Sequence, residues 1–76
     1  MRIIAICSDD ITHIGLKLVG IDCHHAATEA EITAVLSTLP VAETGILVIS
    51  ENLAKYDSLA KFTDENPQIL VHFLQI

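Results

Sequence analysis

The fold is decided by two short apolar stretches: residues 2–7, Arg-Ile-Ile-Ala-Ile-Cys, and residues 45–49, Gly-Ile-Leu-Val-Ile. Both are short and continuously apolar, which is typical of strands buried on both faces of a parallel sheet. Two weaker strands are predicted over residues 21–26 and 69–74. Helical patterns separate the four stretches, so the element order is βαβαβαβ and the sequence predicts βαβ units.

The first helix is predicted from an apolar spacing of i, i+3, i+7 and i+8. Its expected core stripe consists of Ile11, Ile14, Leu18 and Val19. Gly15 lies close to this stripe, where the missing Cβ is expected to let the helix pack tightly on the sheet. Gly20 stands where a left-handed C-terminal cap is expected.

Two more helices follow, each with a predicted N-terminal signal. Thr28 and Glu31 form the pattern of a capping box, and Pro40 stops that helix. Ser50 is expected to cap the third helix, which ends at residues 66–67, Asn-Pro. The expected buried face of the third helix is Leu53, Tyr56, Leu59 and Ala60.

The predicted fold class is α/β. Residues 1–76 form a single small doubly wound domain, flavodoxin-like or receiver-like, with a four-stranded parallel sheet and helices on both faces. The two most apolar strands should be central, which gives the strand order 2-1-3-4. Because residues 75–76 follow directly on the last strand, the sheet beside that strand should be thinly covered and available to a partner.

The charge balance restricts the class of partner. Four Lys and Arg stand against ten Asp and Glu, and the net charge of −6 disfavours nucleic acid and anionic lipid as partners. The apolar runs are shorter than the roughly 20 residues that span a bilayer, so direct membrane insertion is not expected. Two cysteines are too few for a disulfide scaffold, and a cytoplasmic protein is expected. The exposed sheet edges allow weak self-association.

Catalytic sites in doubly wound folds lie at the carboxyl ends of the central strands. Asp9 and Asp10 follow the first strand, as in a receiver domain, but Ser50 and Glu51 stand where a receiver has its phosphorylated Asp. Cys7 suggests a phosphotransferase IIB domain, but two carboxylates follow it and would repel a phosphate. The residues therefore predict no catalytic, cofactor-binding or metal-binding site; a receiver-like or IIB-like phosphotransfer domain is the alternative.

Two stretches resemble one family. Residues 9–21, Asp-Asp-Ile-Thr-His-Ile-Gly-Leu-Lys-Leu-Val-Gly-Ile, resemble the first helix of the F subunit of the V-type/A-type rotary ATPase. Residues 45–54, Gly-Ile-Leu-Val-Ile-Ser-Glu-Asn-Leu-Ala, resemble its third strand and the helix start after it. The positions that carry the family motif are Asp9, Thr12, Gly15, Leu18, Gly20, Gly45, Ser50 and Glu51.

The resemblance implies a non-catalytic central-stalk subunit that binds the shaft of the motor (the D subunit), turns with it, and helps to couple ATP hydrolysis or synthesis to ion movement. Family members carry a C-terminal helix that would contact the catalytic head; the sequence lacks it and is expected to be a truncated or short form. Leu16, Tyr56 and Phe62 are the candidate partner contacts, because Leu16 and Phe62 are expected to project off the buried helix faces.

Overall fold

The computed structural model describes residues 2–75. Four strands, three α-helices and one 3-10 turn follow one another along these residues. In order they are β1 (Arg2–Cys7), α1 (Asp10–Leu18), β2 (Asp22–His25), α2 (Glu29–Thr38), β3 (Thr44–Ser50), the 3-10 turn (Glu51–Leu53), α3 (Asp57–Glu65) and β4 (Leu70–Leu74).

The sheet is fully parallel and has the order β2-β1-β3-β4, which confirms the predicted topology. The two apolar strands are central. Ile3 pairs with Ile46 while Arg2 pairs with Thr44, so Gly45 is the extra residue of an irregularity in the β1–β3 register. A residue without a side chain is well suited to that position, because nothing has to be packed at the bend.

The core is divided between the two faces of the sheet. On one face, α2 and α3 cover Ile4, Ile6, Leu47 and Ile49, all of which are fully buried. On the other face, a much smaller cluster lies under α1. Its buried members are Ala5, Cys7 and Cys23, with Leu16, Ile21 and Val48 packed against them.

The capping box at α2 is confirmed. The Thr28 Oγ1 accepts from the Glu31 backbone N–H at 3.2 Å, and the Glu31 carboxylate accepts from the Thr28 N–H at 3.2 Å. The same carboxylate accepts from the backbone N–H of Ala27 at 3.0 Å. That bond is the largest cause of a lowered Glu31 pKa, since it stabilises the charged form.

The prediction of a single helix after β3 is wrong. Ser50 makes no side-chain cap; its Oγ instead accepts from the Ser8 N–H at 3.1 Å. A 3-10 turn follows, and Tyr56 is extended (φ −85°, ψ 132°) before α3 begins. The break resets the helical phase, so Phe62 replaces Ala60 on the buried face, and Ala60 is exposed.

The predicted core stripe of α1 is also wrong. Ile11, Ile14, Leu18 and Val19 are 84%, 56%, 81% and 72% exposed, and no residue within Asp10–Leu18 is fully buried. The half-buried residues of the helix are Thr12, His13 and Leu16. The four apolar residues do lie on one face of the helix, as their spacing predicts. That face points to solvent, and the opposite face packs on the sheet.

Both ends of α1 are capped. Asp9 is the N-cap and accepts from the Thr12 N–H at 2.9 Å. At the other end Gly20 has φ +86°, and the N–H groups of Gly20 and Ile21 donate to Lys17 and Leu16 carbonyls at 3.1 Å each. These two bonds form a Schellman motif, which confirms the predicted left-handed cap.

The prediction for Gly15 is wrong. The residue is exposed, and a Cβ added to it would have no atom within 4 Å. It therefore does not bring α1 into close contact with the sheet.

Candidate partner-binding surface

One half of the sheet is uncovered on the α1 side. α1 packs on β2 and β1, and residues 2–75 contribute no helix over β3 and β4 on that face. Thin coverage beside the last strand was predicted from the sequence. The structure adds that the uncovered area is a broad face of two strands and not only an edge.

The side chains on this area follow from strand alternation. Val48 faces the α1 side, its β4 partner is His72, and the flanking pairs are Ile46 with Leu70 and Ser50 with Leu74. We call this area the open half-face. It consists of Ile3, Ile46, Val48, Leu70, His72 and Leu74. Leu70 is 65% exposed and Ile3 is 44% exposed, so the area presents apolar surface directly to solvent.

The open half-face contains no Asp, Glu, Lys or Arg, and its one polar member is His72. None of the acidic residues within residues 2–75 belongs to it, although the chain has ten and carries a net charge of −6. At its amino end the Arg2 guanidinium lies 2.8 Å from the Asp22 carboxylate and 4.0 Å from that of Glu43. An apolar patch inside an acidic surface is typical of a site that meets another protein.

At the carboxyl ends of the strands lies a shallow polar depression, which we call the crest. It is lined by Ser8, Asp9, Glu51, Asn52 and Gln75. The Ser8 Oγ donates to the Asn52 Oδ1 at 2.8 Å, which ties the loop after β1 to the turn after β3. The hydrogen bond that Asp9 accepts from the Thr12 N–H is the largest cause of a lowered Asp9 pKa, so the crest holds a carboxylate that stays ionised.

Cys7, the candidate nucleophile beside the crest, is inaccessible to solvent. Cys7 is 1% exposed, and its Sγ lies 3.2 Å from the Sγ of Cys23. Burial, followed by the Cys7 contact, raises the pKa of Cys23 to about 12. Cys7 therefore serves as a small core residue in this cluster.

Three of the four histidines, His13, His24 and His25, lie in α1 and at the end of β2. The His25 Nε2 is 3.5 Å from the Asp10 Oδ1, and the rings of His13 and His25 are 6.0 Å apart, edge to face. Within residues 2–75, no three His, Cys, Asp or Glu side chains converge as a metal ion would require.

Two of the three candidate partner contacts are less exposed than expected. Phe62 is 8% exposed and belongs to the larger core, because α3 begins later than predicted. Leu16 is half-buried against the smaller cluster, since α1 is turned the other way. Tyr56 is half-buried, and its hydroxyl donates to the Ala27 carbonyl at 3.2 Å. The exposure assumed for Phe62 and Leu16 is therefore wrong, and a binding role for the three residues stays a prediction.

The sequence analysis did not identify the residues that form two exposed apolar areas. One is the open half-face, and the other is the outer surface of α1 formed by Ile11, Ile14, Leu18 and Val19, which we call the α1 stripe. The alternate positions of residues 69–74 were the available signal for the first. The α1 stripe was visible in the sequence but was assigned to the core.

The geometry defines a small doubly wound α/β domain with a buried thiol pair and an uncovered apolar half-face. A family model described as the ATP synthase (F/14-kDa) subunit matches residues 4–74. The chain therefore belongs to this family, the F subunit of V-type and A-type ATP synthases. The search of curated proteins and the search of solved structures each returned no match.

Family membership makes the chain a component of a rotary ATPase complex, since the family is a stalk subunit of that complex. The motif positions fall within the matched range. None of the helices in residues 2–75 has the length and hydrophobicity to cross a lipid bilayer.

Proposed function

We propose that the protein is a non-catalytic subunit of the central stalk of a V-type or A-type ATPase, peripheral to the membrane on its cytoplasmic side. It binds the shaft subunit (the D subunit), turns with it, and helps to couple ATP hydrolysis or synthesis to ion transport. Family membership supports the complex, and the open half-face supports a role in docking.

The observation that carries the proposal is the exposure of the open half-face. A Leu side chain moved from water into an interface contributes about 1.5–3 kcal/mol, and Leu70 is 65% exposed with further apolar neighbours on either side. Leaving such a surface in water is unfavourable, and a permanent neighbour in a complex removes the cost. At the crest, by contrast, the Asp9 carboxylate and the Asn52 amide are engaged in local hydrogen bonds.

The alternative is a receiver-like or IIB-like phosphotransfer domain. The burial of Cys7 counts against a IIB-like domain, and the presence of Ser50 and Glu51 at the end of β3 counts against a receiver-like domain. Incubation with acetyl phosphate or with a phosphoenolpyruvate relay distinguishes the classes. A covalent phosphate on the protein supports the alternative, and an unmodified mass supports the stalk subunit.

The direct test is co-expression with the shaft subunit from the same source, followed by gel filtration. We expect the two proteins to co-elute as one species with a stoichiometry of one to one. A shaft subunit that elutes alone, with the 76-residue chain folded by circular dichroism, would contradict the proposed function.

A further inference from the structure

We propose that Cys7 and Cys23 form a redox-sensitive modification site, which a small peroxide converts into a reversible disulfide when α1 opens. The site lies under α1, on the opposite half of the sheet face from the open half-face, and it needs no partner protein. It gives the smaller core cluster a chemical role that the docking function does not use.

The two thiols are already in contact. Their Sγ atoms lie 3.2 Å apart, and they are the two cysteines of the whole sequence. Both side chains are buried beside Ala5 in the smaller cluster, on the α1 face of the sheet. Packing alone asks only for small apolar side chains at these positions, so the juxtaposition of both cysteines points to chemistry that they share.

The strand register sets how far the pair must move to form the bond. Cys23 pairs with Ala5, and Cys7 lies two residues further along β1, so the cysteines are diagonal neighbours on one face. Diagonal neighbours are typically about 7–8 Å apart, whereas a disulfide needs Cα atoms within about 6.8 Å, so the strands must approach by about 1 Å. β2 permits this movement, because it is a four-residue strand at the edge of the sheet.

A disulfide at this site should be easy to reduce. Its formation displaces an edge strand from its position in the reduced protein, and disulfides under strain are the labile, regulatory kind. The cytoplasmic side proposed for this protein is a reducing environment, in which disulfides are mostly transient. The dithiol is therefore the resting state, and the disulfide is a temporary one.

α1 controls access to the pair. While the helix is in place both thiols are buried, and burial is the largest cause that raises the pKa of Cys23 to about 12, so reactive thiolate is scarce. The helix is weakly held, since no residue within Asp10–Leu18 is fully buried and Leu16 is its apolar contact with the cluster. A helix of nine residues is unstable in isolation, so α1 unfolds as it lifts and water reaches the thiols.

The reaction needs a peroxide as the oxidant. One thiol loses its proton, and the thiolate attacks an oxygen of hydrogen peroxide; the O–O bond breaks, which leaves a sulfenic acid and a hydroxide that takes up the proton. The sulfur of the second cysteine attacks the sulfenic sulfur, so that the S–S bond forms, the S–O bond breaks, and the oxygen leaves as water with the second thiol proton. The two thiols lose two electrons, and the peroxide is reduced to two waters.

The first test is the mass of the folded, reduced 76-residue chain after treatment with hydrogen peroxide. We expect the loss of two hydrogen atoms, a peptide crosslink between Cys7 and Cys23, and complete reversal by dithiothreitol. Cys7→Ser and Cys23→Ser are the matched controls, each with one thiol, and neither should give the intramolecular crosslink. Added oxygen without the crosslink, a bond between two chains, or a crosslink that forms only in urea that unfolds the sheet would overturn the proposal.

The second test measures the rate of disulfide formation in three variants of α1, all checked for folding by circular dichroism. Leu16→Ala removes the half-buried contact and should speed the reaction about fivefold, whereas Leu18→Ala, at a side chain that is 81% exposed, should alter it by less than about twofold. Gly15→Ala stabilises the helix at an exposed position and should slow the reaction by about two- to fivefold. Equal rates for the two leucine variants, or a faster reaction with Gly15→Ala, would overturn the control of access by α1.

Discussion

Replacement of Phe62 by Ala separates a core role from a docking role. The side chain is 8% exposed and packs in the larger core with Leu59 and Ile32. Truncating a buried Phe to Ala typically costs about 3–5 kcal/mol. A chain of 76 residues has a free energy of unfolding of about 4–11 kcal/mol, so this one change should remove a large part of it.

The assay is urea unfolding followed by circular dichroism at 222 nm. Phe62→Leu accompanies Phe62→Ala, because Leu keeps most of the apolar contact and its smaller loss should leave a measurable two-state transition. Leu18→Ala is the matched surface control and should shift the free energy of unfolding by no more than about 0.5 kcal/mol. An unchanged urea midpoint for Phe62→Ala would refute the burial of this ring and restore it as a surface contact.

Four further results are expected. Gly20→Ala should lower stability by about 1–2 kcal/mol in urea unfolding, because φ is +86° there, whereas Gly15→Ala should raise it by about 0.5–1 kcal/mol. The two changes in stability should therefore have opposite signs; a gain in stability from both substitutions would contradict the left-handed cap at Gly20. The pKa of Asp9 is lowered in the folded state, so its stabilising contribution is present above pH 3.8 and is lost as the pH falls below it. Asp9→Asn keeps an N-cap oxygen but does not titrate, so its melting temperature should fall less steeply in acid, and parallel curves would count against the linkage. Since Cys23 is buried and its pKa is raised to about 12, a disulfide reagent at about pH 7.5 should react slowly with the native protein and fast with the unfolded chain; equally fast labelling of the two would contradict its burial.

The sheet was predictable because its strands are defined by local pattern. A continuous apolar run such as residues 2–7 needs cover on both faces, which in a βαβ chain places it at the centre. The edge positions of β2 and β4 and the order β2-β1-β3-β4 then follow from right-handed connections. The helix caps at Thr28 and Gly20 were equally predictable from the sequence, since a cap depends on a few neighbouring residues.

The helix faces were less predictable, because apolar periodicity does not say what an apolar face meets. The α1 stripe has the spacing of a core face, yet it lies opposite the sheet. In α3 the error was one of phase: the 3-10 turn and the extended Tyr56 shift the register, and Phe62 moves into the core. The open half-face depends on which strands α1 covers, and that is a property of the assembled sheet.

The loose attachment of α1 has a consequence for local opening of the domain. A helix without a fully buried side chain detaches at low energetic cost, while the strands beneath it stay paired. We expect the amide hydrogens of residues 10–18 to exchange with solvent deuterium well before those of β1 and β3. The first event of partial opening would then be the departure of this one helix, which uncovers the thiols of Cys7 and Cys23 while most of the protein remains intact.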